Sequence, residues 1–153
     1  MNSKYGLIKH LISTGTIHSS NIIEAFESID SVDFALDPNA SDVYEDYPLS
    51  IGYGQTISQP TTVAMMLEML EPKEGDSILD IGSGSGWSTA ILSYIVGKDG
   101  SVIGRERIKE LVKFGNYNLE KYKFQMAKII QARDTLGIIG EKFDRILVSG
   151  LFL

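Results

Sequence analysis

Apolar residues return at helical intervals through the first third of the chain and in short, strand-length runs further on. Leu7, Ile8, Leu11 and Ile12 recur at the spacing of one helical face, and Gly15 follows as a stop signal. Ile22, Phe26 and Ile29 share a face of a second predicted helix, which starts near Asn21 because Asn21 and Glu24 have capping-box spacing. From Asp37 to Gln55 the periodicity stops. Pro, Asn, Asp and Gly gather there around Tyr44, Tyr47 and Tyr53, which predicts a long loop. Pro60 fits the first turn of a third helix, where its missing N–H has no intrahelical partner anyway. Val63, Met66, Leu67 and Leu70 continue that helix, and Met65, Met66 and Met69 are expected to pack in the core.

From Ser77 the pattern changes to short β-rich runs alternating with helical ones. Ser77–Ile81 predicts a buried strand, and Trp87, Ile91 and Ile95 mark the helix after it, closed by Gly97. Ser101–Arg105 is a second strand, and Ile108, Leu111, Val112 and Leu119 mark the next helix. Gly115 lies on that helix's apolar face. Glycine there costs about 1 kcal/mol against alanine, so it implies a close approach of helix to sheet. Ala127–Gln131 and Arg145–Ser149 are the third and fourth strands, joined by a turn or short helix. Strands alternating with helices pair in parallel through right-handed crossovers. The predicted fold class is therefore α/β. A helical and loop-like segment over 1–60 precedes an α/β core over 61–153, and 153 residues suit one domain.

Composition narrows the chemistry. The formal charge of −6 disfavours a broad nucleic-acid-binding face, and the absence of cysteine removes disulfides, thiolate nucleophiles and sulfur-ligated zinc. His10 and His18 are the whole imidazole supply and carry no HExxH-type neighbours, so no metal site is expected. No apolar run approaches the roughly 20 residues of a membrane span, and the N-terminus lacks a signal-peptide core, so a cytoplasmic location is expected.

Two segments carry candidate chemistry. Leu79-Asp80-Ile81-Gly82-Ser83-Gly84-Ser85-Gly86 follows a strand and opens a helix, where an open α/β sheet binds ligands. Its spacing is G-x-G-x-G rather than the G-x-G-x-x-G of dinucleotide sites. Read alone, it is also compatible with a tight strand-to-helix turn. Glu106 falls just after the second strand, where a carboxylate can accept two hydrogen bonds from a ribose diol, and this favours a nucleoside-containing cofactor. The other segment is Gly52-Tyr53-Gly54-Gln55-Thr56-Ile57-Ser58-Gln59-Pro60. It sets hydroxyl and amide groups at the mouth of the Pro60 helix, where Ser58 either faces an anion or, with Gln59, serves as the cap. Tyr53 and Trp87 flank the two segments and read as packing residues.

Taken together, these segments resemble the protein-L-isoaspartate O-methyltransferases, class I S-adenosylmethionine-dependent enzymes. Tyr44-Glu45-Asp46-Tyr47-Pro48-Leu49, the Ile51–Pro60 string, the Leu79–Gly86 loop, Val102-Ile103-Gly104 with Glu106, and Phe143–Val148 carry the likeness over about 4–150. It implies a Rossmann-like methyltransferase fold and S-adenosyl-L-methionine as cofactor. Gly82, Ser83, Gly84 and Gly86 would then surround the cofactor's methionine part, with Asp80 supporting the loop and Glu106 binding the ribose. Gln55, Thr56 and Ile57 would lead into Ser58, the residue closing over the methyl donor and the substrate carboxylate. The implied reaction is methyl esterification of L-isoaspartyl residues in damaged proteins, with isoaspartyl peptides as partners. A cofactor-binding protein without turnover and a methyltransferase with another acceptor are the other readings.

The family usually carries Gly-Asp-Gly after its third strand. Here the run is Ala132-Arg133-Asp134, so Asp134, one position displaced, is the adenine-side candidate. The family also continues beyond its fourth strand, so the fold is expected to be truncated there. The outer edge of Ile146-Leu147-Val148, followed by Leu151, Phe152 and Leu153, is expected to be covered by self-association, another polypeptide or the chain's own ends.

Overall fold

The computed structural model describes residues 1–150. Leu151, Phe152 and Leu153, expected to extend the apolar edge, lie outside them. Helices α1 (Lys4–Ser13) and α2 (Ser20–Ser28) and a 3-10 turn (Ser31–Phe34) build the N-terminal segment. Leu7, Ile8 and Leu11 are buried as the periodicity requires, whereas Ile12 lies at the margin of the face and is 45% exposed. The second helix starts earlier than expected. Its N-cap is Ser19 rather than Asn21, and Asn21 Nδ2 instead donates to the Pro72 carbonyl at 3.1 Å.

The segment over Asp37–Gln55 is a loop only as far as Pro48. Leu49–Gly52 (β1) and Gln55–Ile57 (β2) form an antiparallel hairpin, with Leu49 opposite Ile57 and a bulge between Ser50 and Gly52. Strands of four and three residues are too short to show an alternation, so the hairpin left no readable period. Helix α3 (Pro60–Leu70) has Pro60 in its first turn. Neither Ser58 nor Gln59 caps it by side chain. Asp46 does so from across the loop, accepting from Thr61 N at 2.9 Å and Thr61 Oγ1 at 2.6 Å. The methionine cluster divides: Met66 packs against the core, but Met65 and Met69 are 53% and 82% exposed. They sit on the helix face turned away from Val63 and Leu67, so helical geometry overrides their hydrophobicity.

The core sheet contains β3 (Ser77–Ile81), β4 (Ser101–Glu106), β5 (Ala127–Gln131) and β6 (Arg145–Val148), all parallel, in the order β5-β4-β3-β6. Helices α4 (Trp87–Val96) and α5 (Lys109–Leu119) provide the first two crossovers; the β5–β6 connection contains no helix. Ile78, Val102, Ile129 and Leu147 point from alternate strand positions into one core with α1, α2, α3 and α4. Gly115 behaves as its position implies: a Cβ there would lie 2.4 Å from Ile129 Cδ1. The chain passes from β3 outward to β4 and β5, then returns to the other side of β3 with β6. That reversal opens a crevice at the carboxyl end of β3, the place where such sheets hold ligands.

Candidate functional site

The loop between β3 and α4 is shaped by backbone conformations that favour glycine. Gly82, Gly84 and Gly86 have φ of 87°, 54° and 98°. The loop is fastened to the end of β4, because Gly82 N and Ser83 N both donate to the Arg105 carbonyl, at 2.8 and 3.1 Å. Close approach there depends on a fourth glycine, since a Cβ on Gly104 would stand 2.9 Å from Ser83 Cβ. From the other side, Ser149 Oγ donates to the Gly82 carbonyl at 3.2 Å.

Asp80 is fully buried beneath this loop, where Oδ2 accepts from Ser88 Oγ and Thr89 Oγ1, each at 2.7 Å. Burial raises its pKa above the usual aspartate value, against the two hydroxyls that act to lower it. The residue holds the start of α4 against β3 rather than facing open space. Glu106, 6% exposed at the end of β4, has Oε2 on Gly84 N at 3.0 Å and Oε1 on Ile108 N at 3.1 Å. Each carboxylate oxygen can accept a further hydrogen bond, so both retain capacity for a ligand.

The second predicted segment meets the first. The β1–β2 hairpin turns through Gly52, Tyr53 and Gly54, all with positive φ, and brings Gln55, Thr56, Ile57 and Ser58 over the glycine loop. Between them lies a cavity of about 400 Å³, within the range of small-molecule sites. Gln55, Thr56, Ile57, Ser58, Gly82, Ser83, Gly84 and Glu106 line it, so residues more than twenty positions apart converge on one cavity.

Three expected residues do not line this cavity. Asp80 lies below it and Gly86 sits behind the loop as the N-cap of α4. Asp134 is exposed in the β5–β6 connection, so the displaced carboxylate is not brought to the cavity wall. The tertiary structure adds Arg107 and Ile108, which follow Glu106, and Ser149, which follows β6. Their signal was positional, since each stands just beyond the carboxyl end of a strand flanking the switch point. Trp87 also contributes to the wall although it is 3% exposed, while Tyr53 projects from the hairpin tip at 62% exposure. Among the described residues no cluster of His, Asp and Glu is placed to hold a metal ion, and no helix is long and apolar enough to cross a membrane.

Comparison with known proteins matches residues 2–150 to the family model described as protein-L-isoaspartate(D-aspartate) O-methyltransferase. The chain is 39% identical over 145 residues to a protein-L-isoaspartate O-methyltransferase of Methanopyrus kandleri, covering 94% of this chain and 64% of that relative. It is 36% identical over 150 residues to one from Methanococcus maripaludis, covering 97% of this chain and 71% of the relative. It also resembles a Plasmodium falciparum structure described as a protein-L-isoaspartate O-methyltransferase in complex with S-adenosyl-L-homocysteine. That likeness has TM-score 0.75 and 30% identity, over 85% of this chain and 63% of the other. A further structure titled protein-L-isoaspartate O-methyltransferase gives TM-score 0.83 at 26% identity, over 95% of this chain and 47% of the other. This chain therefore spans less than two thirds of the Methanopyrus kandleri relative and of both matched structures.

Proposed function

Because this chain belongs to the protein-L-isoaspartate(D-aspartate) O-methyltransferase family and has its Rossmann-like class I methyltransferase fold, we propose that it binds S-adenosyl-L-methionine and directs its methyl group to the carboxylate of L-isoaspartyl residues. The observation that carries this reading is the cavity in which Glu106 and the glycine loop face Gln55–Ser58.

The residues present fit that cofactor. Glu106 is fixed by two backbone N–H groups and keeps lone pairs for the two ribose hydroxyls. The first N–H groups of α4 have no partner within the helix and suit an amino-acid carboxylate. Gly84 leaves room at the loop, where a Cβ would lie 3.2 Å from Ile51 Cδ1. When bound, the cofactor supplies an electrophilic methyl group on a sulfonium.

An isoaspartyl carboxylate is ionised at neutral pH, so this site has no proton to remove and needs no strong base. Its residues hold two reactants in line and exclude water. Gln55, Thr56 and Ile57 form the covering wall, and Ser58 is the hydroxyl at the mouth of α3 assigned to the acceptor side. Asp80 acts through the loop it supports. Asp134, one position from the family's usual acid, serves adenine only if the β5–β6 connection moves inward.

Incubation with radiolabelled S-adenosylmethionine and an isoaspartyl peptide tests the reading. Base-labile methyl ester on that peptide, and none on its aspartyl counterpart, is the expected result. Calorimetric binding of S-adenosylhomocysteine without ester formation would reduce the role to cofactor binding. Neither binding nor transfer would remove both.

The proposal includes residues 1–153 acting as one cytoplasmic unit, with the outer edge of β6 covered by self-association or another polypeptide. Ile146 and Val148, 52% and 58% exposed on an edge strand, support that last element. Solution scattering from a monomer with this edge bare would refute it.

A further inference from the structure

A second cavity, of about 380 Å³, lies at the opposite end of the sheet from the cofactor cavity. It is bounded by the end of α2, the end of α4 with Gly97, and the segment just before β5. Ile29 and Val96 close its base and are 2% and 1% exposed. Its side walls are aromatic. Tyr122 is stacked between Phe34, at 6.0 Å and 10°, and Phe124, at 5.7 Å and 19°. The same tyrosine is immobilised through its hydroxyl, which donates to Asp33 Oδ2 at 2.5 Å and accepts from Asp30 N at 3.0 Å. Phe124 thus presents a ring held by a rigid stack, with Tyr94 and Met126 also facing the space.

Charge at the rim runs against the chain as a whole. On a protein of net charge −6, Lys98 and Lys123 stand at this opening, and no carboxylate lines it among the described residues. Neither lysine forms an ion pair, and the half-buried Tyr94 hydroxyl has no hydrogen-bond partner, among the described residues. An apolar chamber with a few polar groups at one side is the usual form of a small-molecule site. We propose that this cavity binds a small aromatic carboxylate, its ring against Phe124, Tyr94 and Met126 and its charge between Lys98 and Lys123.

Indole-3-acetate is the probe and indole-3-acetamide its uncharged counterpart, titrated by calorimetry and by amide chemical-shift mapping of the full chain. The acid should bind about fivefold or more tightly than the amide, and the preference should shrink at roughly 1 M salt, where the screening length falls to about 3 Å. Shifts should centre on residues 94–98 and 122–126, unchanged by saturating S-adenosylhomocysteine. In Lys98→Gln/Lys123→Gln the preference should vanish while amide binding persists, which shows that the cavity is intact. Lys98→Arg/Lys123→Arg should restore it. The proposal is overturned by the absence of saturable binding below roughly 1 mM, by equal affinity for acid and amide, by a preference that survives loss of both lysines, or by shifts centred on the glycine loop. Failure of methyl transfer leaves this test untouched, since every readout is binding.

Discussion

Glu106 gives one carboxylate oxygen to Gly84 N and the other to Ile108 N, so it is oriented before any ligand arrives. Glu106→Ala removes the loop's anchor and, with it, the acceptor proposed for the ribose. Hydrogen bonds to a charged group contribute about 1.5–3 kcal/mol, so S-adenosylhomocysteine should bind roughly ten- to hundredfold more weakly by calorimetry. Unchanged affinity would misplace the ribose. Ser58→Ala should instead lower the transfer rate and leave that affinity nearly unaltered. Asp80 tests the support beneath the loop. Asp80→Ala leaves two buried hydroxyls without their acceptor and should cost about 2–4 kcal/mol in urea unfolding. Its raised folded pKa means that the folded state holds this proton more tightly than the unfolded chain does. Its contribution is therefore complete at acid pH and declines as pH rises through the raised value. Asp80→Asn should flatten that part of the stability profile.

Elements depend on partners distant in sequence, which explains much of what the chain pattern concealed. Helix α3 was legible from Pro60 and the spacing of Val63 and Leu67, but its cap comes from Asp46 in the preceding loop. Asp46→Ala should lower stability by about 1–2 kcal/mol, the usual cost of losing an N-terminal cap, while cofactor binding persists. The strand pattern revealed β5, but not how its open edge is protected. Asn116 Nδ2 donates to the Ile129 carbonyl at 2.8 Å, and Asn116 Oδ1 accepts from Ile129 N at 2.9 Å, so one side-chain amide takes the place of a neighbouring strand. Gly104 likewise reads as a weak point in a strand, yet it makes room for the glycine loop. Gly104→Ala should displace that loop and weaken S-adenosylhomocysteine binding more than it lowers the unfolding midpoint.

At the scale of the molecule, stability should follow pH through contacts between separate parts of the chain. Glu68 of α3 accepts from His18 N, Ser19 N and Ser19 Oγ, tying α3 to the start of α2. Burial acts to raise its pKa, but these hydrogen bonds outweigh it and hold the group below the usual glutamate value. Asp46 is lowered in the same way by Thr61. Carboxyls lowered on folding stabilise the protein above their unfolded pKa values, and that stability is lost as pH falls through the folded ones. Glu68→Gln should lower the unfolding free energy at neutral pH by about 1–2 kcal/mol, and shrink the acid-side decline. Ligand linkage provides the complementary check. S-adenosylhomocysteine at about a hundred times its dissociation constant should add about 2.7 kcal/mol, and raise Tm by roughly 5–10 °C.

The sequence by itself determined the alternation of strands and helices, the position of the glycine loop and the acid at the end of β4. These rest on local rules: side-chain period, the backbone freedom of glycine, and the order of elements along the chain. Only the tertiary structure decided that Met65 and Met69 face outward, that Asp46 caps α3, and that Asp134 stays away from the cavity wall while Arg107 and Ser149 join it. Those outcomes depend on which surfaces meet when the sheet reverses direction at β3. Such meetings join residues far apart in the chain, and no local period records them.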